Sequence, residues 1–307
     1  MKPLRAVCVS TIAAALCCGA AGAWGLRGHE LISGIAAAHV PANVPAFVRT
    51  PQAAAEIALL ATEPDLIKGR DDAALTAQTS PDHYLDVSDD GSVAGIPLGA
   101  LPPTRPRYVA ALERRGVDPY KMGFLPYAIL EGYERVEKDF ALYRAFRATG
   151  RNQMLALRRR ILIQDLGEFS HFVGDGSQPL HVTVHYDDGG AHATFENGVV
   201  ERYVTRAEVS RDLRPARLLP ADPLGAIERY LGKTHAAYPK VYALYRNGRF
   251  GPGAGPLAAA ELARAADFLD DLVETAWVRS ESESVGYPAV RVRDLETHAV
   301  PASAFHD

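Results

Sequence analysis

A chain of 307 residues, 48% hydrophobic and 23% charged, is long enough for one large domain or two small ones. Its formal net charge of −4 gives no overall basic footprint for nucleic acid, so recognition of a phosphate polyanion has to be local. The only cysteines, Cys8, Cys17 and Cys18, lie near the start, which excludes a disulfide framework from everything downstream.

Lys2 and Arg5 precede an apolar run from Ala6 to Cys18, and Ala21-Gly22-Ala23 closes the segment, the three-part pattern of a secretory signal peptide. The run is short for a bilayer span. Neither Cys17 nor Cys18 follows a leucine three positions back, which argues against a lipoprotein anchor. Cleavage is expected between Ala23 and Trp24, leaving a periplasmic or secreted protein with no transmembrane segment.

Beyond the leader the chain reads as helix after helix. "ELISGIAAAHV" (30–40) and "QAAAEIALLAT" (52–62) carry apolar residues at three- and four-residue spacing. A Gly/Pro-rich stretch from Asp89 to Arg107 reads as a surface loop. Long helices are predicted from Tyr127 to Arg147, burying Tyr127, Leu130, Tyr133 and Val136, and from Gln153 to Val173, burying Leu157, Ile161, Leu162, Leu166 and Phe169. Two more follow over 224–246, punctuated by Pro239, and over 256–280. No repeat and no break in composition marks a boundary. The expectation is an all-α fold with one helical domain over residues 24–281 and an irregular tail over 282–307.

The densest chemistry lies in "HFVGDGSQPLH" (171–181). His171 and Asp175 are spaced i,i+4 and share a helix face, and the Gly- and Pro-containing turn after them can swing His181 back toward the pair. "HATFE" adds His192 and Glu196 at the same spacing. Any one of these residues alone is better read as a solvated or core side chain. Five of them between 171 and 196, interleaved with Phe169, Phe172 and Phe195, make a metal cluster the better reading. Asp65 in "TEPDLIKG" and His83 in "PDHYLD" are further candidates. A donor set of His, Asp and Glu without thiolate suits zinc or another borderline divalent ion in a catalytic site, and this many ligands call for more than one ion.

The start of the mature chain has its own logic. A free terminus at Trp24 offers an α-amino nitrogen and a carbonyl oxygen on one residue, a five-membered chelate whose amine titrates near ~7.7–8. Trp24 is then a ligand through its main chain, its indole packs the terminus in place, and His29 stands about one helical turn further on.

"WGLRGH", the Asp65/His83 pair, "HFVGDGSQPLH" and "HATFE" together resemble the superfamily of the zinc-dependent phospholipases C and the single-strand-specific nucleases of the P-one and S-one type. The match runs by motif order through residues 24–200 and by helical character beyond. The resemblance implies a trinuclear zinc site: Asp65, His83, His171 and Asp175 on the first ion, His181, His192 and Glu196 on the second, and Trp24, His29 and Asp175 on the third. Asp175 would bridge two ions. All nine positions are occupied, which weighs against a non-catalytic zinc-binding protein.

The two branches of the superfamily divide this chain. Trp24 followed by Gly-x-x-Gly-His resembles the nucleases. So do Lys68, three after Asp65 where those enzymes place a phosphate-contacting base, and Asp86, three after His83 where they place a nucleobase contact. His192-x-x-x-Glu196 and the short interval from His181 resemble the phospholipases, and Gly189-Gly190-Ala191 departs from the nuclease Gly-Gly-Asn. The implied activity is phosphodiester hydrolysis of a single-stranded nucleic acid or nucleotide, or else of a phospholipid, with no stable protein partner. Asp65 would orient or deprotonate the attacking water, Lys68 would place a charge on a phosphate oxygen, and Tyr84, Tyr186 and Phe195 are candidates for stacking. His39, His185, His235, His298 and His306 read as surface or core residues, with His185 alone near enough in sequence to be a spare ligand.

Overall fold

The computed structural model describes residues 24–68, 71–211 and 213–306. The predicted leader and its cleavage site lie outside the described residues. In chain order the helices are α1 (Gly25–His39), α2 (Pro51–Leu60), α3 (Glu63–Ile67), α4 (Ala73–Thr79), α5 (Arg105–Glu113), α6 (Pro119–Met122), α7 (Leu125–Ala148), α8 (Asn152–Asp175), α9 (Val200–Tyr203), α10 (Arg206–Ser210), α11 (Pro223–His235), α12 (Tyr238–Leu244), α13 (Gly255–Arg279) and α14 (Val292–Glu296). Two short antiparallel hairpins complete the fold, β1 (Ser92–Val93) with β2 (Ile96–Pro97) and β3 (Ser284–Val285) with β4 (Val290–Arg291). The fold is all-α. Among the described residues no helix is long and apolar enough to cross a membrane.

Local chemistry sets the helix starts. Thr50 Oγ1 accepts a hydrogen bond from the Ala53 amide at 3.0 Å and Pro51 follows it, so α2 begins with a capped donor and a preset φ. Thr104 and Pro106 do the same for α5, which begins inside the stretch predicted to be loop; the rest of that stretch holds the β1–β2 hairpin. The predicted helix over 224–246 is two helices. It breaks at Ala236–Ala237 because Pro239 cannot donate to the preceding turn, and α12 restarts with that proline in its first turn.

The core is built by α1, α2, α7, α8 and α13. Ile32 and Ile35 of α1 meet Leu166 and Val173 of α8, and Leu262, Leu269 and Leu272 of α13, in one buried cluster. α7 and α8 form a helical hairpin through the turn at 149–151. Tyr127, Leu130, Tyr133 and Val136 are buried as their spacing predicts, and so are Leu162, Leu166 and Phe169. Leu157 corrects the sequence reading: it is 42% exposed, and Ile161 is half-buried. The first turns of α8 run past the core, where Leu155 takes the partly packed position instead.

The tail over 282–307, predicted to be irregular, carries the second hairpin and α14. Val285, Val292, Leu295 and Phe305 bury against Ala141, Ala145 and Phe146 of α7 as a satellite cluster. Arg144 ties it down, stacking over Trp277 at 3.4 Å and reaching Glu296 at 3.2 Å. Helical periodicity cannot detect such a segment, because its apolar residues are recruited singly from turns.

Candidate metal centre and active-site cleft

The last turns of α8 carry the centre. His171 and Asp175 are both fully buried, one turn apart, with His171 Nε2 3.3 Å from Asp175 Oδ2. The His171 Nδ1–H donates to the carbonyl of Ala61 at 2.8 Å, which assigns the tautomer and leaves a bare lone pair on Nε2. His83, at the end of the short 3-10 turn over 80–83, places Nδ1 3.0 Å from both His171 Nε2 and Asp175 Oδ2. Asp65 approaches from α3, with Oδ1 3.8 Å from His83 Nδ1.

His29, near the start of α1, stacks on His171 with ring centroids 4.0 Å apart, and its Nε2 lies 3.5 Å from Asp175 Oδ1. Its two ring nitrogens, Asp175 Oδ1 and Asp65 Oδ2 are buried without a hydrogen-bond partner among the described residues. Orphaned polar atoms this deep each cost on the order of 1–3 kcal/mol unless something pairs with them. His29 also gathers with Asp65 and His171, in addition to its approach to Asp175.

A second group forms where the chain turns back. The 3-10 turn Pro179–His181 and the π-helical turn Thr194–Val199 bring His181 and Glu196 face to face, with His192 beside them. His181 Nδ1–H donates to the His83 carbonyl at 2.6 Å and His192 Nδ1–H to the Tyr186 carbonyl at 3.0 Å, so both Nε2 atoms point lone pairs inward. Those atoms are 3.0 Å apart, and Glu196 Oε2 lies 3.0 Å from one and 3.7 Å from the other. A proton on His192 relieves its contact with Glu196 and leaves His181 facing an acceptor; a cation relieves all three contacts. The residues fit a divalent metal.

The electrostatics agree. Burial first, and His171 second, push the His29 pKa down to about 3, and burial pushes His171 down to about 4, so both are neutral donors at neutral pH. Burial pushes Asp175 up to about 7 against the pull of His181 and His29, the mark of a carboxylate placed where positive charge is needed. Burial works to raise Asp65 too, but His171 and the Lys68 ammonium, 3.0 Å away, outweigh it and hold the carboxylate below its ordinary value.

Above these groups opens a cleft of about 380 Å³ whose walls include Lys68, His83, Tyr84, Asp86, Tyr186 and His192. Lys68 and Asp86 therefore face the same space as the cluster's outer imidazoles. Tyr84 and the exposed Tyr186 are wall residues, whereas Phe195 is core, fully buried against Trp24 and Phe250. Lys121 and Ser80 also line the cleft. No sequence signal marked them, because they arrive on separate turns. His185 is not a spare ligand: it lies outside the cluster between Asp188 (2.8 Å) and Asp89 (3.1 Å).

That outer position belongs to a clamp that the sequence did not announce. Tyr238, Tyr242 and Tyr245 line one face in and just beyond α12. Tyr238 O–H donates to Asp89 at 2.6 Å, Tyr242 O–H donates to the His185 carbonyl while its oxygen accepts from the Asp188 amide at 3.0 Å, and Tyr245 O–H donates to the Gly189 carbonyl at 3.1 Å. The loop bearing Tyr186 and leading to His192 is thereby held from behind.

Trp24 is fully buried at the head of α1. Its indole N–H donates to Ser177 Oγ at 2.7 Å and its carbonyl accepts from the Gly28 amide at 3.2 Å. Gly25 turns the chain at φ +59°, where a β-carbon would stand 2.1 Å from Asn197 Oδ1. Gly174 has the same kind of necessity: a β-carbon there would meet His29 Nδ1 at 2.8 Å. Gly174→Ala is therefore expected to lower stability by about 1–3 kcal/mol through overpacking. Gly198→Ala, where the nearest such contact is 3.8 Å, is expected to be neutral or stabilising. Thermal denaturation of both variants checks this, and equal melting temperatures would refute the close fit of His29 on α8.

Buried imidazoles and carboxylates converge beneath an open cleft in an all-α frame, and it is the family match over residues 24–199 that makes this the site of a phosphodiester-hydrolysing enzyme. Residues 24–199 match the S1/P1 Nuclease family, and the chain belongs to it. No curated protein matches the chain. Among solved structures it is similar to the alpha-toxin of Clostridium perfringens from an avian strain, at 16% identity and a TM-score of 0.44, over 87% of this chain and 69% of that one.

Proposed function

We propose that this phosphodiester hydrolase is a zinc-dependent nuclease that prefers single-stranded nucleic acid, secreted or periplasmic after its leader is removed ahead of Trp24, with residues 24–281 as the catalytic domain. The observation that carries the reading is the meeting of lone-pair donors, His171, His181 and His192 through Nε2, with the carboxylates of Asp175 and Glu196 at the foot of a cleft that also holds Lys68 and Asp86. Asp65, His83, His171 and Asp175 would hold one zinc, His181, His192 and Glu196 a second, and the Trp24 main chain, His29 and Asp175 a third. Bound zinc supplies Lewis acidity toward the phosphate and lowers the pKa of water toward ~7.

The chain's own residues do the rest. Asp65, ionised and fixed by Lys68, accepts a proton from the attacking water or aligns it. The Lys68 ammonium is a point charge for a nonbridging phosphate oxygen. Tyr84 and Tyr186 offer ring faces to an unstacked base, which a duplex cannot present. The substitution of Glu196 where the nucleases carry Asp favours the phospholipase branch, which stands as the second reading.

The deciding experiment offers single-stranded DNA, RNA, duplex DNA, a 3′-nucleotide and phosphatidylcholine in parallel to zinc-replete mature protein. Single strands are expected to be cleaved fastest, chelation to abolish cleavage, and Zn²⁺ to restore it better than Mg²⁺, since imidazole-rich sites favour the softer ion. Hydrolysis of phosphatidylcholine without nuclease activity would select the second reading, and full activity in chelator would remove both.

Asp86 adds a pH dependence. Burial pushes its carboxyl up to about 6. Above that pH the carboxylate accepts a charge-assisted hydrogen bond from a base amino group; below it one oxygen becomes an O–H donor and the other is only a weaker, uncharged acceptor. Preference for amino-bearing bases is therefore expected to fall as pH drops through about 6, read as a ratio of kcat/KM values, and Asp86→Asn is expected to flatten the profile. A wild-type ratio constant between pH 5 and 7 would take Asp86 out of base recognition.

A further inference from the structure

A second cleft, of about 620 Å³, opens between α10, α11 and α13 and shares no lining residue with the catalytic one. It lies behind the end of α8, where Tyr230 O–H donates to the Val173 carbonyl at 2.7 Å and Thr234 O–H to the Gly176 carbonyl at 2.5 Å, tying α11 to the helix that carries Asp175.

Five cations line this cleft: Arg211, Arg214, Arg229, Lys233 and Arg264. Their surroundings separate them into two sets. Arg214 forks onto Asp271 at 2.7 and 2.6 Å with Asp267 beside it, and Arg264 is held by Glu261 and by the Tyr230 carbonyl at 3.2 Å. The remaining lining acid, Glu208, is turned back to cap α10, accepting from the Thr205 amide and hydroxyl at 2.8 Å each. Each lining acid among the described residues thus has a direct partner; Arg211 acts on Glu208 and Arg229 on Glu228 only through space, and Arg211, Arg229 and Lys233 make no direct ion pair among the described residues. Arg229 and Lys233 stand i,i+4 on α11 and project together.

In a chain of net charge −4, a recess that gathers unpaired cations is a local reversal of sign that focuses anions. Small residues of α13, Ala259, Ala260 and Ala263, form part of its apolar wall. The volume is that of a small-ligand pocket. A flat array of lysines would suit a membrane surface; guanidinium forks around a recess suit a compact phosphate, which arginine binds bidentately.

We propose that this cleft is a second binding site, separate from the catalytic centre, for a phosphate-bearing anion of nucleotide size. The phosphate sits among Arg211, Arg229 and Lys233, and the alanine-lined wall takes the less polar part of the ligand. The site is independent of which phosphodiester the metal centre cleaves. Its ligand is either a free nucleotide or the phosphate of a longer single strand.

Isothermal titration of the zinc-replete mature protein at low salt tests this, with inorganic phosphate, adenosine 5′-monophosphate, a phosphorothioate single strand of ten nucleotides and phosphatidylglycerol vesicles as separate arms. Two classes of nucleotide site are expected. The double variant Arg229→Ala/Lys233→Ala is expected to weaken one of them by about tenfold or more, with zinc content, melting temperature and turnover of a dinucleotide unchanged; Lys68→Ala is expected to weaken the other. Arg229→Lys/Lys233→Arg keeps the charge and is expected to retain binding. A ten-mer that binds far more tightly than the mononucleotide marks the strand as the ligand, and equal affinities mark the free nucleotide. A single class of site untouched by the double variant overturns the proposal. So does loss of vesicle binding with nucleotide binding intact, which would make the face a membrane contact.

Discussion

Mature protein that begins at Trp24 is expected to hold its full zinc complement, and a form retaining one extra residue ahead of Trp24 to lose the metal that the terminus grips. The amine of a free terminus gives up its proton near pH ~7.7–8 and can then donate a lone pair, whereas an amide nitrogen cannot at neutral pH. The burial of Trp24, its indole bond to Ser177 and the tight turn at Gly25 fix where the Trp24 main chain lies. The loss should be selective: the side chains from Asp65 to Glu196 keep their ions, and His29 and Asp175 are left with an incomplete set. Trp24→Phe retains both main-chain donors and gives up only the Ser177 bond and some packing, so it should cost about 1–3 kcal/mol of stability and little metal. Zinc content by elemental analysis and phosphodiesterase rate on the exact-start, extended and Trp24→Phe forms decide the matter. Full loading of the extended form would show that Trp24 is a packing residue only.

Asp175→Asn is expected to be the most damaging single change in the centre. Asp175 is wholly buried, its two oxygens approach His29 on one side and His83 and His171 on the other, and Oδ1 also lies 4.0 Å from His181 Nδ1. Removing one partner from a buried set of charges costs about 3–5 kcal/mol, which corresponds to roughly 10²–10³ in metal affinity or rate. Lys68→Ala removes a single charged contact of about 1.5–3 kcal/mol, and is expected to lower the rate by roughly 10–100-fold with zinc retained. The two variants therefore differ in kind as well as degree. Zinc content and kcat/KM measured together test this. Modest losses of equal size with undisturbed zinc would refute the proposal that Asp175 bridges two ions.

The helices of the core were legible because amphipathic spacing encodes burial: Tyr127, Leu130, Tyr133 and Val136 sit where a 3.6-residue period places them. Leu157 has the same spacing and is exposed, since periodicity says which face is apolar but not whether a neighbour covers it. The tail was illegible for the complementary reason. Phe305 and Val285 are buried by contact with α7, a partner that no local pattern names.

For the centre, residue types and spacings along one helix or turn were readable: His171 with Asp175, and His192 with Glu196. These depend on the covalent chain and on helix geometry, so the sequence determines them by itself. Asp65 and His83 were grouped with His171 and Asp175 only through the family resemblance; the tertiary structure brings them to the end of α8, stacks His29 on His171, packs Phe195 in the core while Tyr186 faces the cleft, and turns His185 outward into a clamp built by α12. Each of these rests on how separate helices dock, and docking is set by the summed burial of many apolar side chains rather than by any short stretch that contains the functional residue.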